Sequence, residues 1–274
     1  MDKKAMTTEQ KYAILDTVGV SRIAKISKKQ RTDNMQIIVV ENYEEMSLRG
    51  AEILAAVVKG KPTATLGLAT GTTPIGAYRE LIRKYENGEI SFRDARTVNL
   101  DEYVGLDGSD PHSYRYFMQD QLFSHIDIDL SRTNVPSGVA EDLAVECMRY
   151  TKMLAECPQD IQLLGLGSDG HIGFNEPGAP FGGHTHVTDL AASTIRDNAR
   201  LFDRIEDVPT RAITMGIADV MQAKKILLMA NGKNKAEAVR AMIKGDVTEA
   251  CPASILQRHP DVIVILDREA AGLL

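Results

Sequence analysis

Asp169, His171 and Glu176 fall within eight residues of one another, inside the segment Ser168–Pro177 that reads SDGHIGFNEP. An imidazole beside two carboxylates can be fixed in one tautomer and have its basicity tuned, as proton transfer near neutral pH requires. A solvated surface turn could carry the same residue types. The glycines around them, and the apolar Ile172 and Phe174 between them, indicate instead a partly enclosed loop. A second group, Thr70-Gly71-Thr72-Thr73-Pro74, offers hydroxyls and a flexible backbone just ahead of a helix start. Free N–H groups and a favourable dipole make that construction suitable for an anion such as phosphate. No Gly-Lys-Ser/Thr follows, so it is not a Walker A loop and implies no nucleotide triphosphate.

Two further groups are candidates by position. Asp101 and Glu102 end the run TVNL, where acids are poor strand formers; they are read as a cap or a catalytic base. Lys235, with Lys233 nearby, opens a helix, where a cation opposes the helix dipole unless it meets an anionic ligand. His184 and His186 form an H-x-H, but no Cys or Asp spacing completes a metal site, and none is expected. Gly165–Gly170 also spells GxGxxG. That motif needs a long helix starting within it, which Gly173, Pro177 and Gly178 would break, so a dinucleotide site is rejected.

These residues must be positioned by regular elements, and the pattern names them. Apolar runs at Ile37–Val40, Ala64–Ala69, Thr97–Leu100, Ile161–Leu166, Ala212–Met215, Ile226–Ala230 and Val262–Leu266 suit strands buried between helix layers. Helical stretches lie between them. One begins at a capping-box-like Asn42/Glu45 pair and stops near Gly60; others open at Pro74 and Pro111, span Glu141–Glu156, and run from Lys235 to Lys244. The alternation predicts an α/β fold: a single doubly wound, Rossmann-like domain with a mainly parallel sheet and helices on both faces. In such sheets ligands sit beyond the carboxyl ends of the strands, where TGTTP, Asp101-Glu102, GSDGHIGFNEP and NGKNK all fall. Residues 178–209 are irregular and Gly-bearing, as a mobile lid would be.

Composition bounds the rest. The 274 residues form a chain with 43% hydrophobic and 26% charged residues, ordinary for a soluble globular protein. No apolar run approaches the roughly 20 residues that span a bilayer, and the charged N-terminus lacks a secretory apolar stretch. Cys147, Cys157 and Cys251 are read as reduced thiols of a cytoplasmic enzyme. Residues 1–34 hold eight Lys/Arg against four Asp/Glu, a net of +4 that leaves −10 for the remainder. The acidic body argues against nucleic acid as a partner, and the basic head is expected to be a frayed or weakly helical extension to a domain spanning 35–274.

The segments GLATGTTP, NLDEYVGL, LLGLGSDGHIGFNEPG and PASILQRHPDVIVILD resemble blocks of the glucosamine-6-phosphate deaminase family, and the likeness runs from about Met35 to the end. The resemblance implies a small-molecule sugar-phosphate substrate, no metal and no organic cofactor, and a monomer or homo-oligomer. Carried over by position, His171 would act at the ring oxygen, oriented by Asp169 and Glu176, and Asp101 would move a proton from C2 to C1. Thr70, Gly71, Thr72, Thr73 and Lys235 would hold the phosphate. Galactosamine-6-phosphate deaminases and 6-phosphogluconolactonases, from the same wider superfamily, supply the alternative activities.

The chain departs from the family pattern in three places. Where members carry a phosphate-contacting arginine in the lid, Ile195 aligns here, with Arg196 and Arg200 close by; Arg196 is assigned the contact. The 34-residue head has no family counterpart. The stretch that in some oligomeric members forms an allosteric pocket reads GAPFGGHTHVT, with Ala179, Pro180, His186 and Thr188 in place of serines, an arginine and a lysine. Rate curves are therefore expected to be unchanged by N-acetylglucosamine 6-phosphate. A sigmoidal curve straightened by that compound contradicts the expectation.

Overall fold

The computed structural model describes residues 29–32, 35–191, 194–196, 199, 202 and 204–274. Its strands are β1 (Lys29–Thr32), β2 (Met35–Val40), β3 (Thr65–Leu68), β4 (Arg96–Asn99), β5 (Asp101–Tyr103), β6 (Thr133–Asn134), β7 (Ile161–Leu164), β8 (His186–Asp189), β9 (Arg211–Thr214), β10 (Ile226–Ala230) and β11 (Val262–Asp267). The main sheet has the order β1-β2-β11-β10-β7-β3-β4-β6. Its seven strands from β2 to β6 are parallel throughout. Every residue of β3, β7 and β10 is buried, so both faces of the sheet centre are covered, and this is why those strands read as continuous apolar runs.

The helices join as the pattern requires. In α1 (Tyr43–Gly60) the Asn42 side chain accepts from Glu45 N at 2.9 Å, and Met46, Gly50, Leu54 and Val58 form the buried stripe. α2 (Ile75–Glu86) follows Pro74. α3 (Tyr114–Gln121) starts three residues later than Pro111 suggests, because Ser113 supplies the cap to Tyr116 N. α4 (Leu143–Glu156) is capped by Asp142; α5 (Ile217–Val220) is short, and α6 (Ala236–Lys244) ends at Gly245. No helix among the described residues is long and apolar enough to cross a membrane.

Three features differ from expectation. Residues 29–32, within the extension expected to be frayed or weakly helical, instead form β1, paired antiparallel with β2. The open edge of β2 presents unpaired backbone groups that recruit the neighbouring segment. Residues 1–28, 33 and 34, and with them the rest of that expectation, lie outside the described residues. The run Ala212–Met215 is a strand, but it belongs to a second, antiparallel sheet ordered β5-β9-β8. That sheet takes β8 from within the 178–209 stretch expected to be irregular.

The chain order fixes where a ligand can sit. From β3 it proceeds to β4 on one side, and from β7 it proceeds to β10 on the other. The adjacent β3 and β7 therefore mark the switch point, and a crevice opens beyond their carboxyl ends.

Candidate active site

A cavity of about 660 Å³ lies at that switch point. Thr70, Gly71, Thr72 and Thr73 line one wall, and Gly165–Ser168 with His171 and Gly173 line the opposite one. Asp101 and Tyr114 contribute from the end of β4 onward, Lys235 with Asn231 and Asn234 from the exit of β10, and Thr194 and Arg196 from the 178–209 segment. All four strand exits singled out in the sequence thus meet at one place.

Two tyrosines hold the threonine loop. Tyr78 Oη donates to Ala69 O at 2.5 Å, and Tyr43 Oη donates to Thr72 O at 3.0 Å while accepting from Gly76 N at 2.9 Å. The loop backbone is thereby fixed on both sides of Gly71, which takes φ +86°. The cavity face combines hydroxyls, a helix N-terminus and the Lys235 ammonium, which together suit a phosphate.

The SDGHIGFNEP loop is shaped by close approach. A side chain at Gly167 would collide with the His171 imidazole, its Cβ falling 2.3 Å from Nδ1. Gly167 N donates to His171 O at 2.9 Å, closing the turn. Phe174 N donates to Thr214 Oγ1 at 3.0 Å, and Asn175 Nδ2 donates to Ile172 O and Met215 O, each at 2.9 Å, tying the loop to the small sheet. His171 Nδ1 lies 2.7 Å from Asp169 Oδ1 and 3.4 Å from Glu176 Oε2. Both carboxylates thus act on one ring nitrogen, Asp169 from hydrogen-bonding distance and Glu176 from slightly farther away. Burial opposes charge on the imidazole, but the two carboxylates outweigh it and push its pKa up to about 9. In return His171 holds the Asp169 carboxyl well below the usual range. Asp169 and Glu176 do not line the cavity; they stand behind the imidazole and leave Nε2 on its far side.

The three side chains place donor atoms within 4.8 Å of one another, a grouping that could hold a divalent cation. Two carboxylates on one ring nitrogen equally suit a protonated imidazole, and its raised pKa shows that effect. His184 and His186 are engaged elsewhere. His184 Nδ1 lies 2.6 Å from the buried Asp219, and His186 Nδ1 lies 2.8 Å from His184 O.

Asp101 and Glu102 separate cleanly, because neighbouring strand residues face opposite ways. Glu102 Oε1 accepts from Tyr103 N and Tyr114 N, and Oε2 from Arg115 N, at 2.8–2.9 Å, so this carboxylate caps α3. Asp101 faces the cavity from the opening residue of β5, in register with Thr214 of β9. Burial, and then the neighbouring Glu102 charge, push its pKa up to about 8, while His171 pulls the other way. Gly173 takes φ +58°, and a Cβ there would stand 3.0 Å from Thr214 Oγ1, with Asp101 Oδ2 in ordinary contact at 3.5 Å.

Sequence reasoning missed Tyr114, Thr194, Asn231 and Asn234 among the lining residues. The asparagines were visible as part of NGKNK after a strand; Tyr114 and Thr194 carry no local signal. Ile195 packs into a small apolar cluster with Tyr103, Phe174, Leu190 and Ala212, while Arg196 lines the cavity. Arg200 lies outside the described residues.

The sequence model for glucosamine-6-phosphate isomerases/6-phosphogluconolactonases matches residues 41–264, a span that holds β3, β4, β6, β7 and β10 of the main sheet and every residue of the site. The chain belongs to that family. A curated glucosamine-6-phosphate deaminase of Clostridium perfringens (strain 13 / Type A) is 54% identical over 241 residues, covering 88% of this chain and 100% of its own. One of Thermoanaerobacter pseudethanolicus is 49% identical over 88% of this chain and 95% of its own. Among solved structures, a monomeric glucosamine-6-phosphate deaminase superposes with a TM-score of 0.85 at 50% identity, covering 87% of this chain and 99% of its own. The 6-phosphogluconolactonase from Trypanosoma brucei, at 23% identity and a TM-score of 0.70 over 90% of this chain and 100% of its own, shares the fold.

The raised pKa of Asp101 has a thermodynamic consequence. Folding favours its neutral form, so its contribution to stability is greatest below its ordinary pKa of 3.8 and declines as pH rises toward about 8. At neutral pH the carboxyl therefore destabilises the fold. Asp101→Asn is expected to raise stability there by about 1–2 kcal/mol and to flatten its pH dependence above pH 4, read from urea melts at several pH values. A variant less stable than wild type across that range contradicts this.

Proposed function

We propose that the chain is a glucosamine-6-phosphate deaminase of the cytoplasm, converting glucosamine 6-phosphate and water to fructose 6-phosphate and ammonia. The observation that carries the reading is a buried carboxyl and a doubly carboxylate-backed imidazole facing one cavity beside an anion cradle. Thr70–Thr73 and Lys235 hold the phosphate, and a lid guanidinium, assigned to Arg196, completes the grip. His171, charged near neutral pH, gives its proton to the ring oxygen as the C1–O5 bond breaks, and the C1 hydroxyl returns a proton to the imidazole, leaving the open-chain aldehyde. Asp101 then takes the proton from C2, forming an enolamine, and returns it to C1. The resulting imine at C2 adds water and expels ammonia.

Asp101 must be ionised for its step although burial opposes ionisation. The substrate's ammonium, arriving at C2, supplies the opposing charge that favours the carboxylate. Lactone hydrolysis on the same fold needs no base at C2, so the 6-phosphogluconolactonase alternative leaves Asp101 without a task. The curated relatives sharing about half of the sequence are deaminases by name, which supports the same reading; galactosamine 6-phosphate is the alternative substrate.

The deciding experiment is ammonia release from glucosamine 6-phosphate and galactosamine 6-phosphate, with lactone hydrolysis run in parallel. Release from the gluco substrate, lowered about 10³-fold or more by Asp101→Asn, is expected; hydrolysis of the lactone alone overturns the reading. The pH dependence of kcat/KM is expected to rise as Asp101 ionises, around 8, and to fall as His171 loses its proton, around 9. A flat profile through that interval would sink the two-base scheme. Arg196→Ala is expected to raise KM about tenfold or more with little change in kcat. An unchanged KM there, with a rise in Arg200→Ala, moves the contact to Arg200.

A further inference from the structure

Glu176 uses its two carboxylate oxygens differently. Oε2 faces His171 Nδ1 at 3.4 Å, while Oε1 accepts a short hydrogen bond from Thr194 Oγ1 at 2.5 Å. Thr194 is 5% exposed and lies on the cavity wall, eighteen residues beyond Glu176. Residues 194–196 form one helical turn in which successive side chains take separate tasks: Thr194 reaches Glu176, Ile195 packs into the apolar cluster of Tyr103 and Phe174, and Arg196 faces the cavity. A carboxylate held at Oε1 by a side chain whose neighbour two residues on meets the ligand space links that segment to the imidazole.

We propose that Thr194 is a positioning residue: its hydroxyl fixes the Glu176 carboxylate against His171, so that the segment carrying Arg196 sets the readiness of the ring-opening imidazole. The inference rests on the deaminase reading for its kinetic consequence, but the contact itself does not. The hydroxyl occupies Oε1 and satisfies it, which leaves Oε2 as the oxygen presented to the ring. Without that donor the carboxylate is free to rotate about its terminal torsion, and His171 loses the steady charge of one of its two anionic neighbours. The imidazole then holds its proton less tightly, and ring opening slows while the phosphate contacts stay in place.

The test uses Thr194→Val, nearly isosteric but without a donor, and Thr194→Ser, which keeps the hydroxyl. Thr194→Ala serves as a second deletion, and thermal melts of each variant monitor folding. The His171 imidazole is titrated by NMR in the substrate-free protein, and kcat and KM are measured separately. Thr194→Val and Thr194→Ala are expected to lower kcat about tenfold or more with KM little changed, and to lower the His171 pKa by roughly half a unit or more. Thr194→Ser is expected to restore both. A His171 titration unchanged or shifted upward in the two deletion variants overturns the proposal, as does equal impairment of the serine variant. Should wild type release no ammonia, the deaminase reading fails, and the NMR titration alone still decides whether Thr194 controls His171.

Discussion

A carboxyl group taken out of water resists ionisation, and that constraint at Asp101 governs the site around it. Burial raises its pKa to about 8, the nearby Glu102 adds to the effect, and only His171 acts in the other direction. His171 is in turn kept cationic by Asp169 and Glu176. The charges form a sequence that runs from behind the wall into the cavity: two carboxylates, an imidazolium, then a carboxyl that burial keeps from ionising. Asp169, His171 and Asp101 each owe part of their pKa shift to a charged neighbour. Under the proposed function, a cationic amine entering beside Asp101 would complete the alternation and favour the carboxylate that burial opposes.

The scaffold meets that constraint through backbone placement more than through side-chain bonds. Leu100 alone separates β4, in the large sheet, from β5, in the small one, and Leu100 O accepts from Met215 N at 2.6 Å. Asp101 therefore begins a strand at the seam between two sheets. Tyr150 braces the same seam from α4, its buried hydroxyl donating to Asn99 O at 2.7 Å. The glycines of the SDGHIGFNEP loop let it lie against this seam, so that the imidazole crosses Gly167 and the loop backbone passes Asp101 at Gly173.

What the sequence disclosed, and what it withheld, follows the same physics. Strands such as β3, β7 and β10 were legible because burial on both faces demands uninterrupted apolar runs. β5, β6 and β8 were not, since DEY, TN and HVTD are short and polar and are strands only because of the partners they meet. For Ala212–Met215 the pattern revealed a strand but not which sheet it joins, because register and partner are tertiary facts. In the site, the rule that ligands gather beyond strand ends brought Thr70–Thr73, Asp101, His171 and Lys235 together before any coordinates. It could not find Thr194, whose hydroxyl matters through a contact formed only when distant segments fold together. Nor could it divide Asp101 from Glu102, which the strand's alternation alone sends to opposite faces.

Thr214 stands in register with Asp101 on one side and His186 on the other, and its hydroxyl takes the Phe174 amide. Asp101, which opens β5, and β8 are thus parts of one ladder, joined through the middle strand β9. Moving β8 or β9 by one residue would turn every side chain in it to the opposite face and put a different partner beside Asp101. Side chains at Ile195 and Arg196, outside this ladder, can be exchanged without moving Asp101, whereas a residue added to or removed from β9 cannot. The position of Asp101 is in this sense a property of a whole sheet.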